Sequence, residues 1–116
     1  MTDREMVERR YQRRVQAALP IQVKGVDASG VAYDDVTSAI EVSRRGLSFF
    51  TPHQLAVFAT LTIVIPGRGP LRPHEGHSDF FTEATVVRTI KEDENTYRVG
   101  VRFIGATLSM YSAEAV

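Results

Sequence analysis

The sequence predicts an all-β fold: a small six-stranded antiparallel β-barrel of the split-barrel type, with an arginine-rich N-terminal arm and a tail that could form one short C-terminal helix. Three observations predict it. Thr60 to Ile65 alternates strictly, with Leu61, Ile63 and Ile65 on one face and Thr60, Thr62 and Val64 on the other. Phe81 to Ile90 and Thr96 to Phe103 flank the polar run from Lys91 to Asn95 as a hairpin would. Turn residues punctuate the chain at short intervals, without the alternation of strands and helices that marks a parallel sheet.

Taken in order, residues 2–18 carry Thr2 and Glu5 at capping-box spacing and a thin apolar stripe of Met6, Val7, Tyr11, Val15 and Ala18. Such a helix is marginal, because four nearby cations repel one another until an anion lies among them. Leu19-Pro20 ends it, since proline drives the preceding residue out of the α region. Ile21 to Gly25 alternates as a strand, and Asp27-Ala28-Ser29-Gly30 reads as a turn.

From Val31 to Val42, Val36, Ile40 and Val42 suit a strand with Asp34-Asp35 as a turn before or within it. Gly46 breaks the run, and Gly46 to Thr51 forms the next strand, closed by Pro52. After Ile65 the segment Pro66-Gly67-Arg68-Gly69-Pro70 opens a polar loop that runs to about Asp79. In the last strand Tyr97, Val99, Val101 and Phe103 alternate against Arg98, Gly100 and Arg102, giving one buried and one charged face. Leu108, Met110 and Tyr111 are the apolar residues of the tail. The organisation is thus an arm or helix over 1–18, a barrel over 19–104 and a tail over 105–116.

Composition bounds the function. The 116 residues, 43% hydrophobic and 24% charged, suit one soluble domain that buries roughly two-thirds of its unfolded surface. The absence of cysteine excludes disulfides, thiolate metal sites and cysteine nucleophiles, and is compatible with a reducing cytoplasm. No apolar stretch approaches the ~18 residues of a membrane span, which predicts no membrane insertion and a cytoplasmic location. A formal net charge of zero predicts no field for duplex nucleic acid.

The cations are unusual in kind: 12 are arginines and only Lys24 and Lys91 are lysines. Guanidinium pairs bidentately with phosphate or a guanine edge and stacks on a base. A GC-rich genome explains scattered arginines, but it explains the cluster Arg9, Arg10, Arg13 and Arg14 less well. A second constellation, Glu41-Val42-Ser43-Arg44-Arg45-Gly46, follows at a strand-to-strand turn. An arginine arm facing a polar turn on a β-scaffold suits a compact, doubly charged phosphate ligand.

These residues in this order resemble the PilZ domain, a bacterial receptor module for the second messenger cyclic di-GMP. The resemblance runs from about Arg9 to Phe103. It rests on the arginine arm, the Leu-Pro-Ile-Gln-Val strand, a turn like the family's D/N-x-S-x-x-G, and the late Val86-Val87-Arg88 and Val99-Gly100-Val101-Arg102-Phe103 segments, which in the family are scaffold. The RxxxR motif fits two registers. Spacing to Leu19-Pro20 favours Arg10 with Arg14, and the doubled-arginine form favours Arg9, Arg10 and Arg13. Ser43 and Gly46 match the second motif, with Arg44 and Arg45 in its variable places. Glu41 departs from the family's Asp or Asn, keeping an acceptor on a longer stem.

The resemblance implies cyclic di-GMP as ligand, no cofactor, no catalysis and a downstream protein partner; the sequence does not predict an oligomeric state. It implies that arm arginines bind phosphate oxygens or a guanine, that Glu41 accepts from a guanine N–H, that Ser43 bonds nearby, and that Gly46 turns the backbone tightly. Relief of the arm's self-repulsion on ligand binding would order or redirect it.

Plainer readings exist for each feature. The arm could be a solvated or nonspecific anion-binding face, Glu41 a strand-end residue, and Ser43 and Gly46 turn chemistry, Gly46 supplying a positive φ. Gly67-Arg68-Gly69 lacks a Walker lysine and a following helix, so it reads as a turn. His74 and His77, with Glu75 and Asp79, have metal-ligand types but no rigid element to set geometry, so no metal is predicted. Ser43 has no histidine and acid placed by a motif, so no catalytic residue is assigned. Two other classes remain: a PilZ-like interaction module that does not bind the nucleotide, and a small barrel for single strands. The second would need exposed aromatics among its cations, whereas Phe49, Phe50, Tyr97 and Phe103 sit at core-like positions.

Overall fold

The computed structural model describes residues 19–109. The 1–18 segment, with Arg9, Arg10, Arg13 and Arg14, lies outside the described residues, as does the tail beyond 109. Eight strands follow in order: β1 Leu19–Val26, β2 Ala32–Val42, β3 Gly46–Thr51, β4 Thr60–Ile65, β5 Leu71–Arg72, β6 Gly76–His77, β7 Phe80–Asp93 and β8 Thr96–Ile104. Six of them close a barrel in the order β1-β2-β3-β8-β7-β4, every pairing antiparallel, and β4 closes it by pairing with β1. No helix occurs among the described residues.

Alternation builds the core. Ile21 and Val23, Leu47 and Phe49, Leu61, Ile63 and Ile65, Ala84 and Val86, and Val99, Val101 and Phe103 point inward and are nearly inaccessible. Their opposite neighbours form the outer face. Burial of these side chains supplies the main favourable term, at roughly 25 cal/mol per Å² of apolar surface.

Local chemistry sets the turns. Asp27 Oδ1 accepts from the N–H groups of Ser29 (2.8 Å) and Val31 (2.9 Å), and Gly30 takes φ +85°, which fixes the β1–β2 hairpin. Asp93 accepts from Asn95 N–H at 2.9 Å in the β7–β8 turn.

The structure differs from the sequence reading in three places. Asp34 and Asp35 lie inside a continuous β2 rather than in a turn, because each pairs with β1: Asp34 with Lys24 and Asp35 with Val23. The loop from Pro66 to Asp79 contains the two-stranded β5–β6 hairpin. Phe50 alternates outward and is 44% exposed, although Phe49 and Phe103 are core. Residues 105–109 are irregular and Leu108 packs into the core from them, while 110–116, the rest of the expected short helix, lie outside the described residues.

β2 pairs with β3 only over Ala39–Val42 and diverges beyond it. Across that gap His53 Nε2 and Asp35 Oδ2 stand 2.5 Å apart, and His53 stacks on Tyr33 with ring centroids 4.9 Å apart.

Candidate functional site

The β2–β3 connection is a tight loop held by main-chain bonds from three sides. Ser43 N–H donates to Gly46 O (2.8 Å), and Ser43 Oγ donates to the same carbonyl (3.2 Å). Phe103 N–H donates to Arg45 O (2.7 Å) and Leu108 N–H to Arg44 O (2.8 Å). The two arginine carbonyls are therefore structural, and their side chains are exposed.

Gly46 is required here for a different reason from the expected one. Its φ is not positive; instead a β-carbon would overlap the Val101 carbonyl oxygen across the β3–β8 ladder. Crowding, not left-handed backbone, demands glycine.

The loop borders an open groove of about 630 Å³ on the outer face of the barrel, within the size range of small-molecule sites. Glu41, Ser43, Arg45 and Gly46 of the predicted set line it, and Arg44 lies outside the lining. The structure adds Ser48, Val87, Arg88, Gly100 and Arg102 from β3, β7 and β8.

Register explains why these residues meet. Glu41 pairs with Ser48, Ser48 with Gly100, and Gly100 with Arg88, so one row crosses four strands. Three inter-strand steps place its ends about 14 Å apart along the backbone. The ladder slips at both ends, between Ala39 and Glu41 on β2 and between Val86 and Arg88 on β7. Each bulge inserts one residue and re-aims its neighbours. Without the first, Glu41 could not face outward while both Ala39 and Val42 face the core.

Three guanidiniums (Arg45, Arg88 and Arg102) and one carboxylate (Glu41) line the groove, so it is locally cationic although the chain is neutral overall. Such a concave surface draws anions. The Ser48 hydroxyl is enclosed in the groove floor and has no hydrogen-bond partner among the described residues.

The alternation of β8 marks Gly100 and Arg102 as outward residues, but it does not reveal that β3 lies beside them. That neighbour relationship spans some 50 residues of sequence, and Arg88 and Ser48 stay hidden with it.

A family model described as PilZ domain matches residues 8–113. The chain belongs to the PilZ domain family. The match embraces the arginine arm, the loop and every barrel strand. Among solved structures, MrkH of K. pneumonia in its apo state is similar in fold, with TM-score 0.52 and 15% identity over 78% of this PilZ chain. The match spans 41% of the MrkH chain, so MrkH is much the longer protein. No curated protein matches the sequence.

The remaining predicted features have local roles. His77 Nδ1 lies 3.0 Å from Gly69 O, and no group of three or more potential metal ligands forms among the described residues. Nor is any helix among them long and apolar enough to cross a membrane.

Proposed function

We propose that this PilZ domain is a non-catalytic, cytoplasmic receptor for cyclic di-GMP, which it holds in the groove while the N-terminal arginines close over the ligand. One observation carries the reading. Leu19, the first described residue, pairs with Ala39, two residues from Glu41 at the groove's end. At roughly 3.5 Å per extended residue, the chain between Arg14 and Leu19 can span at most about 17 Å and that between Arg10 and Leu19 at most about 31 Å. Either RxxxR register can therefore reach the ligand.

The chemistry supports the same assignment. The ligand presents two phosphates and two guanines. Arm arginines take phosphate oxygens bidentately or stack on a base. Glu41 accepts from a guanine N–H; Arg45, Arg88 and Arg102 supply further donors. Engagement of the arm neutralises its mutual repulsion and redirects it relative to the barrel, and that movement is the signal presented to a partner protein.

Calorimetry with cyclic di-GMP tests the reading. Saturable binding that weakens with salt and vanishes in the Arg10→Ala, Arg14→Ala double variant is expected. No heat at high ligand concentration would refute it and leave the interaction-module reading, which the Glu41 departure favours. Equal competition by a generic oligonucleotide would favour the single-strand binder instead.

A further inference from the structure

We infer that the cross-strand pair Ser48 and Gly100 is the floor on which a guanine base of the ligand lies flat, with Gly100 setting the clearance. The inference rests on the receptor reading above and names residues outside both sequence motifs.

Gly100 has no role within the fold that requires glycine. Of the eight glycines, Gly30, Gly67, Gly76 and Gly105 have positive φ, and at Gly25, Gly46 and Gly69 a β-carbon would overlap a neighbouring atom. At Gly100 φ is ordinary, and among the described residues a β-carbon would meet only Arg88 Cβ, at a comfortable 3.9 Å. Glycine inside a strand weakens it by adding backbone entropy to the unfolded chain and by offering no side chain to pack. Alanine or valine would serve the barrel better. The bare backbone at this position is explained by an occupant resting on it.

Ser48 continues the low floor beside Gly100. It pairs directly with Gly100, faces the groove and is 7% exposed, and its hydroxyl lacks a partner among the described residues. That hydroxyl is closed off, so Ser48 contributes to the floor by its small size beside Gly100 rather than by a hydrogen bond.

The flanks of the pair select the ring. Glu41 lies on one side of the row and Arg88 on the other. A carboxylate accepts from the N1–H and N2–H donors of guanine, whereas a guanidinium donates to its O6 and N7 acceptors. Adenine offers N6–H to Glu41 but no O6 to Arg88. The floor thus requires a planar ring, and the two flanks require guanine.

The test compares cyclic di-GMP binding by the wild-type chain, Gly100→Ala and Gly100→Val. It also follows the Gly100 Hα resonances of the wild type during the titration. Gly100→Ala should lose roughly tenfold in affinity, the scale of one misplaced methyl in a fitted pocket, with a melting temperature equal to or above that of the wild type. Gly100→Val should bind below detection, and ring current from the base should move the Gly100 Hα signals upfield. Cyclic di-AMP should bind far more weakly than cyclic di-GMP. Wild-type affinity in Gly100→Val, or unmoved Gly100 Hα signals at saturation, overturns the floor. If either occurs while the Arg10→Ala, Arg14→Ala variant still loses binding, the receptor reading stands without it. If the wild type does not bind cyclic di-GMP, both fall together. Should Gly100→Val fail to fold, the wild-type proton shifts decide.

Discussion

Gly46 packs against the Val101 carbonyl so closely that a β-carbon at position 46 would overlap the oxygen. The contact joins the start of β3 to β8, where Gly46 pairs with Arg102, beneath the loop that borders the groove. Gly46→Ala must push the two strands apart, at a cost of about 1–3 kcal/mol. Urea denaturation should show a lower midpoint with an unchanged slope. A loss of ligand binding in this variant would therefore report a displaced scaffold as well as any lost contact.

Arg44 and Arg45 are adjacent and chemically identical, but only Arg45 lines the groove. Their backbone carbonyls hold the fold, so alanine at either position should change stability by less than about 0.5 kcal/mol. Arg45→Ala should weaken cyclic di-GMP binding by about 1–3 kcal/mol and flatten its salt dependence. Arg44→Ala should change affinity much less. Calorimetry at two salt concentrations separates the pair, and equal losses would count against the groove as the binding surface.

Glu41 stands on a bulge at one end of the row. Glu41→Asp installs the family's residue on a shorter stem with less rotamer freedom to lose, so affinity should rise by about two- to fivefold. Glu41→Lys places a cation where a guanine N–H donor should lie and should abolish binding. If Glu41→Lys binds as tightly as the wild type, Glu41 does not touch the base.

Tyr33 is 8% exposed, and its phenol is pushed up to about 12, first by burial and then by the charges of Asp35 and Asp27. The fold holds the proton more tightly than the unfolded chain does, so this contribution is intact below about pH 10 and is lost as pH rises towards 12. The loss should amount to about 1–2 kcal/mol, since the ring lies at the lip of the gap between β2 and β3 and is partly screened. Urea midpoints at about pH 9 and pH 11 measure it. Tyr33→Phe should remove the difference, and a persistent alkaline loss in that variant would assign it to other groups.

Phe58 combines φ 74° with 79% exposure, pinned by a 2.7 Å bond from its N–H to Val86 O. The left-handed region costs a bulky residue about 1–2 kcal/mol, and its ring recovers little by burial. Phe58→Gly should stabilise the chain by about 0.5–1 kcal/mol in thermal or urea melts. Destabilisation would mean that the ring makes contacts worth more than the strain.

The strands were legible wherever local alternation was strict. Thr60 to Ile65 shows the inward and outward faces read from its sequence, as does Tyr97 to Phe103. Local composition misleads where tertiary pairing overrides it. Asp34-Asp35 has turn composition, but its hydrogen bonds are taken by β1. Gly46 was legible as indispensable but not for the right cause, because crowding by Val101 depends on a β3–β8 pairing between distant segments. Glu41, Ser43, Arg45 and Gly46 are contiguous enough to be found as a motif. Ser48, Arg88 and Gly100 enter the groove only through strand order and bulges, which alternation does not encode.

The spacing of the row comes from backbone ladders, not from the side chains standing on it. Mutation can therefore retune the chemistry at each post, from acid to amide or from arginine to aromatic, while the gauge between posts holds at about 4.8 Å per strand. A lineage of such barrels would drift readily in the chemistry its groove prefers, and only with difficulty in how large a molecule it admits.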